Sequence, residues 1–233
     1  MSARSWLGKI FGRPAAPPQE PVTEIEVRWV PASENPWGVD VLDCTSVASS
    51  MVATTSSAEV ARRFAALRGS FGDEHRGRRP EEAVTLACEL SYPHRGETRD
   101  GPLHRAVEME DKWDVFLFEG FLYFARSWTG ELCHRAAITF HAEEARVTAV
   151  DTRRSLAARD PAFPIAEVDF LIRSHLYGLV LPHPLPSEAA HDPRELVLYS
   201  FSRYGRRGMF GAFADTTRLR ALKRDAGTVT GER

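Results

Sequence analysis

The strongest constraint on the fold is a series of six strand-like stretches that are joined by short polar turns. They cover residues 84–92, 103–109, 113–118, 121–128, 132–140 and 146–150. Glu119-Gly120 and Thr129-Gly130 separate neighbouring stretches, and glycine at such turns supplies the positive φ that tight hairpins need. The pattern predicts an antiparallel β-meander of about six strands.

The central strands of this meander are apolar on both faces. In residues 113–118, Trp113, Val115 and Leu117 alternate with Phe116 and Phe118. Strands of this kind are buried on both sides, so we expect helices or sheet curvature to cover both faces.

Helical and extended segments flank the meander on both sides. On the N-terminal side, residues 23–30 and 39–47 predict extended segments, and Ser56 and Ser57 are placed to cap a helix that ends at Gly69. Residues 69–82, rich in glycine and charged side chains, predict an exposed loop.

On the C-terminal side, the apolar residues of 165–179 predict a buried helix. Asp192-Pro193 predicts the start of a second helix over 195–204, although its alternating apolar residues also fit a strand. The fold class that follows is α+β, with an N-terminal strand/helix unit and C-terminal helices packed on the sheet.

The length of 233 residues predicts one domain, over residues 22–233, behind a flexible basic and proline-rich leader over 1–21. Within the leader, residues 4–13 place several apolar side chains on one side of a short helix, with basic residues around them. This pattern predicts either a solvated leader or weak contact with an anionic membrane surface.

Charge and cysteine content exclude several functional classes. The net charge of −2 gives no strong nucleic-acid signal. The three cysteines, Cys44, Cys88 and Cys133, form no CxxC pair, so we expect neither a disulfide framework nor a metal site. We also expect no cofactor, and the absence of a secretory signal predicts the reducing cytoplasm.

The first candidate binding site is the tip of the hairpin over residues 126–131. Arg126, Trp128 and Glu131 lie there, and loop tips carry function more often than strand centres do. Arg126 stands on an otherwise apolar strand and needs a partner, for which we expect a carboxylate such as Asp114 on the neighbouring strand. The turn chemistry of Thr129-Gly130 and packing of Trp128 at the sheet edge are the structural alternative.

The second candidate is a glycine–arginine turn, residues 205–211, preceded by Arg203. Its three glycines let backbone N–H groups approach a ligand, and Arg206 and Arg207 offer planar forks for phosphate or carboxylate. It lacks the Lys-Ser/Thr ending of a phosphate-binding P-loop, so a solvated turn between elements is the alternative interpretation.

A third candidate is catalytic. The stretch 51–64, in which Thr54 lies before an amphipathic helix, resembles the segment of ADP-ribosyltransferases where a strand ending in Ser-Thr-Ser leads into a helix beneath the nicotinamide pocket. Ala53 stands where that family has the first serine. The resemblance implies that Arg28 serves as the early-strand arginine, and that Glu110 of Glu108-Met109-Glu110 polarises the ribose hydroxyl.

The sequence therefore favours a soluble, non-catalytic binding protein for a protein partner or a small anionic ligand. The alternative is a nucleotide-using enzyme with an ADP-ribosyltransferase-like site at Arg28, Thr54 and Glu110. Peripheral membrane attachment through residues 4–13 is compatible with either, and the sequence makes no prediction of oligomeric state.

Overall fold

The computed structural model describes residues 27–189 and 192–223, and shows an α+β fold. Its strands are β1 (Arg28–Val30), β2 (Val41–Asp43), β3 (Ala83–Pro93), β4 (Gly101–His104), β5 (Trp113–Phe118), β6 (Phe121–Arg126), β7 (Leu132–Phe140), β8 (Glu144–Arg153), β9 (Leu179–Val180), β10 (His183–Pro184), β11 (Phe210–Ala212) and β12 (Leu222–Lys223). Its helices are α1 (Thr45–Ser50), α2 (Ala58–Leu67), α3 (Arg154–Arg159), α4 (Phe163–Leu171) and α5 (Pro193–Tyr204), and α4 continues into a π-helical turn over Ile172–Leu176. In the described ranges no helix is long and apolar enough to cross a membrane. The predicted leader, with its residues 4–13, lies outside the described residues.

The predicted antiparallel sheet is confirmed, with one difference in strand order. Six strands run in the order β3-β8-β7-β6-β5-β4, and every neighbouring pair is antiparallel. Five of them, β4 to β8, form a continuous meander, whereas β3 pairs with β8 at the far edge. The turn between β5 and β6 places both Glu119 and Gly120 at positive φ, as the hairpin signal predicts.

One face of this sheet packs against helix α4, which is buried along its whole length. Val168, Phe170 and Leu171 of α4 join the side chains of Trp113 and Val115 in the largest apolar cluster. A helix with apolar residues on all sides is typically buried, and α4, which also carries the carboxylates Glu167 and Asp169, lies between the six-stranded sheet and β10 of a second sheet. The predicted buried helix is thus confirmed, although its last turn is π-helical.

The segment over residues 69–82 is a loop and most of it is exposed, as the sequence predicts, but its buried residues Gly72 and His75 lie against the other face of the sheet. Gly72 lies so close to Phe116 that an added Cβ would be 2.2 Å from the ring, and the ring of His75 lies 5.5 Å from the same ring. Gly77 N–H donates to the Tyr123 hydroxyl at 3.0 Å. The absence of a side chain on Gly72 is what allows the backbone to approach the Phe116 ring so closely.

The second sheet is small and mixed, with strand order β1-β2-β11-β10. Its strand β2 ends earlier than the extended segment predicted over 39–47, because the Asp43 carboxylate accepts hydrogen bonds from the Thr45 N–H and hydroxyl and starts helix α1. On the C-terminal side, the Asp192 carboxylate caps α5 by accepting from the N–H of Arg194, which resolves the helix-or-strand alternative in favour of a helix.

Candidate functional site

A largely buried ionic network links the middle of the fold. The carboxylate of Glu167 on α4 is inaccessible to solvent and accepts from Nε and Nη2 of Arg203 at 2.6 and 2.5 Å. His134 Nε2 lies 2.8 Å from one carboxylate oxygen, and the Tyr204 hydroxyl donates to the other at 2.9 Å. Burial alone raises the pKa of the Glu167 carboxyl, but the Arg203 charge and the hydrogen bonds from Arg203 and His134 outweigh it and lower that pKa well below its usual range.

Next to this network, Arg126 is a second inward-facing cation with a different environment. Nη1 and Nη2 donate to the backbone carbonyls of Arg203 and Ser202, both at 2.8 Å, at the C-terminal end of α5. The guanidinium lies over the Trp113 ring at 4.8 Å. Within the described residues Arg126 forms no ion pair, and burial together with the nearby Arg203 charge lowers its pKa. Two of its five N–H groups are therefore used, which leaves three for other acceptors.

The expectation that Asp114 neutralises Arg126 is wrong. In the β5–β6 pairing Arg126 is opposite Trp113, whereas Asp114 is opposite Ala125, so the two side chains point to opposite faces of the sheet. Asp114 instead forms a bidentate ion pair with Arg68, at 2.9 and 2.7 Å.

Arg126 and Arg203 both line a pocket of about 720 Å³ between the end of the sheet and helices α3, α4 and α5. We call this the Arg126 pocket. Its other charged lining residues are Glu131, Arg153, Arg159, Asp160 and Glu188, and its walls include Leu132, Cys133, Leu156, Phe163 and Tyr199. The volume falls within the range of small-molecule sites in proteins.

Three of the seven charged residues in the lining form ion pairs within the described protein, and a fourth, Asp160, is held by backbone hydrogen bonds. Arg153 pairs with Glu131 at 2.9 Å and with Glu81 at 3.3 Å, both near the surface. One oxygen of Asp160 accepts from the N–H groups of Ala162 and Phe163 at the start of α4. Arg203 forms its ion pair with Glu167.

A β-bulge turns Cys133 into the pocket. The register between β6 and β7 shifts between Phe124, which pairs with His134, and Ala125, which pairs with Leu132, so Cys133 is the extra residue. Burial raises the pKa of the Cys133 thiol to about 11. The thiol is therefore protonated at neutral pH and contributes an apolar surface rather than a nucleophile.

The other predicted residues of the hairpin tip take different places. Trp128 is packed inward, where its Nε1–H donates to the Met109 carbonyl at 2.8 Å and Lys112 Nζ lies 4.6 Å from the ring centroid. Glu131, by contrast, lies at the pocket rim with Arg153.

The glycine–arginine turn is filled by protein atoms. A Cβ on Gly205 would be 1.6 Å from the Glu110 carbonyl oxygen, and one on Gly211 would be 2.9 Å from the His183 ring. Arg206 pairs with Glu108 at 2.5 Å, and Arg207 donates to the Ser174 carbonyl. The glycines thus serve close packing, and anion binding by this turn stays a prediction.

Of the three residues proposed for catalysis, Glu110 lies near Thr54, whereas Arg28 forms no ion pair with Glu110 among the described residues. The Glu110 side chain is buried, and its Oε1 accepts from the N–H of Ala53 at 3.0 Å, next to Thr54, which is exposed. Arg28 is exposed on β1 opposite Asp43, and within the described residues no ion pair joins it to Glu110. The catalytic assignment stays a prediction.

Sequence reasoning missed the residues that give the site its electrostatics, namely Glu167, His134 and Tyr204. A signal was available, because Glu167 is one of two carboxylates, with Asp169, in a buried and mostly apolar helix, and each must find a buried partner. Which cation supplies it depends on how α5 crosses α4, which local sequence patterns do not encode.

The described residues contain no group of three or more His, Cys, Asp or Glu side chains that could hold a metal ion. The arrangement at the pocket is suited to binding, since it offers arginine donors, a neutral thiol and apolar walls in one cavity. Comparison of the chain with protein-family models, with curated proteins and with solved structures finds no match.

Proposed function

We propose that this protein binds a small anionic molecule in the Arg126 pocket and does so without catalysing a reaction on it. The observation that carries the proposal is Arg126, an inward-facing guanidinium that lines a pocket and forms no ion pair among the described residues. Arg126 is partly buried, so water screens its charge less than at the open surface, and a bound anion would supply the opposite charge that it lacks.

The environment of Arg126 supports a ligand role. Its ring partner Trp113 and the two carbonyls at the end of α5 fix the guanidinium plane, so its remaining donors are held in place before a ligand arrives. Preorganised donors lose little conformational entropy on binding, which favours affinity.

The ionisable groups around the pocket favour binding over chemistry. The Cys133 thiol stays protonated, and the Glu167 carboxylate is saturated by Arg203, His134 and Tyr204. A general base or nucleophile needs a pKa near the working pH and access to substrate, and neither group meets both conditions.

The test is calorimetric titration of the full chain with benzoate, citrate, inorganic phosphate and AMP, for the wild type and for Arg126→Gln. We expect at least one of these anions to bind the wild type, and binding to weaken at least tenfold in Arg126→Gln. Arg206→Gln, an arginine of the filled turn, is the matched control and should bind like the wild type. If no anion binds, or if the two variants weaken binding equally, the proposal is wrong.

A nucleotide-using enzyme remains the second hypothesis, because the Glu110 carboxylate does contact the backbone next to Thr54. Replacement of Glu110 by Gln should then abolish hydrolysis of a nicotinamide dinucleotide without changing anion binding at Arg126. If the wild type has no such activity, this hypothesis fails and the binding proposal is unaffected.

We further propose a reducing, cytoplasmic setting, which the three free thiols Cys44, Cys88 and Cys133 support. Weak membrane contact through residues 4–13 is a separate proposal. Deletion of residues 2–13 should abolish co-sedimentation with anionic lipid vesicles if that contact exists, and an unchanged sedimentation would refute it.

A further inference from the structure

We infer that the ligand of the Arg126 pocket is a monoanion, a single carboxylate on an apolar body, rather than a phosphate or a nucleotide. This inference rests on the proposed anion-binding function and narrows it to one chemical class. Three features of the pocket carry it: its charge balance, its donors and its walls.

The ion pairs around the pocket leave one partly buried cation, Arg126, without an opposite charge. Four arginines and three carboxylates line the pocket, and Glu167 lies directly behind Arg203. With Glu167 counted, the local charges sum to zero, so a ligand with two negative charges would add a larger excess of negative charge than a monoanion would. Arg203 is neutralised by its ion pair with Glu167. Arg153 is neutralised by Glu131 and Glu81.

Arg126 is consequently the inner cation that remains without a counter-charge, while Arg159 lies at the exposed rim, where water screens it. A monoanion at Arg126 would neutralise it. A phosphate monoester carries close to two negative charges at neutral pH, and the excess charge would face the acidic side chains Glu131, Asp160 and Glu188 at unfavourable energy.

The donors around Arg126 suit a carboxylate. With two N–H groups of Arg126 held by the carbonyls of Ser202 and Arg203, the remaining ones can donate to two oxygens of one planar group. Tyr199 also lines the pocket, and because burial raises its pKa its hydroxyl stays protonated and can donate.

The apolar residues of the pocket walls favour a ligand with an apolar body. Leu132, Leu156 and Phe163 line the pocket together with the protonated Cys133. Burying a ligand's apolar surface against such walls is favourable, whereas the sugar and phosphate groups of a nucleotide would lose hydrogen bonds to water there.

The experiment compares three matched probes, 4-phenylbutanoate, its neutral amide and 4-phenylbutyl phosphate, by calorimetric titration of the full chain. We expect the carboxylate to bind at least tenfold more tightly than the amide and than the phosphate ester. Arg126→Gln should remove the preference for the carboxylate over the amide, because it removes the charge but keeps a donor. Arg206→Gln should keep that preference.

Two further variants protect the test against misfolding. Arg126→Lys keeps the charge without the planar guanidinium and should retain part of the preference for the carboxylate. Ser155 is an exposed residue of the lining, and Ser155→Phe should block the pocket while leaving every arginine unchanged. Tighter binding of the phosphate ester with loss in Arg126→Gln would overturn the monoanion inference while leaving the proposed anion-binding function intact. Absence of binding by all three probes would also overturn the inference, and the wider anion titration then decides the proposed function separately.

Discussion

The Arg126 pocket and the glycine–arginine turn over residues 205–211 show opposite outcomes for similar sequence signals. Both combine arginines with glycine near a turn, and both were candidate anion sites from sequence. In the turn, Arg206 is paired with Glu108, and the glycines press against backbone and His183. In the pocket, Arg126 keeps three N–H groups that no described residue accepts.

The difference teaches that residue type at a turn says little about binding until the hydrogen-bond capacity of each arginine has been accounted for. An arginine whose charge is matched inside the protein contributes to packing. One held in place but left without a counter-charge is suited to receiving a ligand.

Replacing Glu167 with Gln should cause the largest loss of stability. The change leaves the partly buried Arg203 without its counter-charge, and removing one partner of a buried pair typically costs about 3–5 kcal/mol. Urea unfolding monitored by tryptophan fluorescence measures this loss. The matched control is Glu108→Gln, which removes the half-exposed partner of Arg206 and should cost less than about 1 kcal/mol.

Glu167→Gln also sharpens the inference about ligand charge. If Glu167 neutralises Arg203 in the wild type, the variant has a second unpaired cation beside Arg126. Its binding preference should then move from 4-phenylbutanoate towards 4-phenylbutyl phosphate. An unchanged preference, measured where the variant is still folded, would show that Arg203 does not contribute to selection.

Replacing Gly205 with Ala tests whether the turn is filled. The new Cβ would overlap the Glu110 carbonyl, and φ is +58°, so we expect a loss of about 3 kcal/mol in the free energy of unfolding. Gly77→Ala is the matched control, because Gly77 also has positive φ, at +72°, but nothing lies within 4 Å of the added Cβ. It should cost about 1 kcal/mol. Equal losses in the two variants would mean that the turn is not closely packed against residue 110.

Much of the fold could be predicted from the sequence, because it depends on local periodicity. Strands β5 and β7 have the predicted bounds, since two apolar faces and hairpin glycines specify them closely. That both faces are covered was predicted, but the segment over residues 69–82 was not recognised as part of the cover, because the contact of Gly72 with Phe116 is long-range and the glycine gives no local sign of burial.

Individual residues of the site could be predicted from the sequence, but the pocket that they line could not. Arg126 stood out as a charge on an apolar strand, and Glu131 as a polar residue at a hairpin tip. Their pocket depends on α3, α4 and α5 meeting one end of the sheet, and on a bulge at Cys133 that one register shift creates. The assignment of Asp114 to Arg126 failed for the same reason, since a register difference of one residue reverses the face.

Acid should destabilise the protein through His183, which the filled turn shields from water. The ring is fully buried against Tyr204 and Gly211, its Nδ1 contacts the Pro184 carbonyl, and burial lowers its pKa to about 4. The unfolded chain therefore binds a proton that the folded chain excludes, and stability present above pH 6.5 is lost as the pH falls towards 4. Between pH 7.5 and 5 we expect a loss of about 2 kcal/mol in the free energy of unfolding.

The measurement is the urea midpoint between pH 7.5 and 5, a range above most carboxyl pKa values, for the wild type and for His183→Asn. The variant should show a smaller slope with pH, whatever its absolute stability. The buried His75 and His104, whose pKa values burial also lowers, account for the slope that remains. An unchanged slope would place His183 in contact with water and would mean that the turn is open.

The smallest effect should come from Arg206→Gln, which completes the comparison with Arg126. Its ion pair with Glu108 is half-exposed on both sides, and such pairs contribute less than about 1 kcal/mol because water screens the charges and the side chains lose entropy. We expect a change within about 0.5 kcal/mol in urea unfolding, and less still in high salt. Arg126→Gln should cost more, since it loses two hydrogen bonds to the end of α5 and its contact with Trp113. If Arg206→Gln were the more destabilising of the two, the turn rather than the pocket would hold the structurally important arginine, and the distinction between a matched and an unmatched guanidinium would fail.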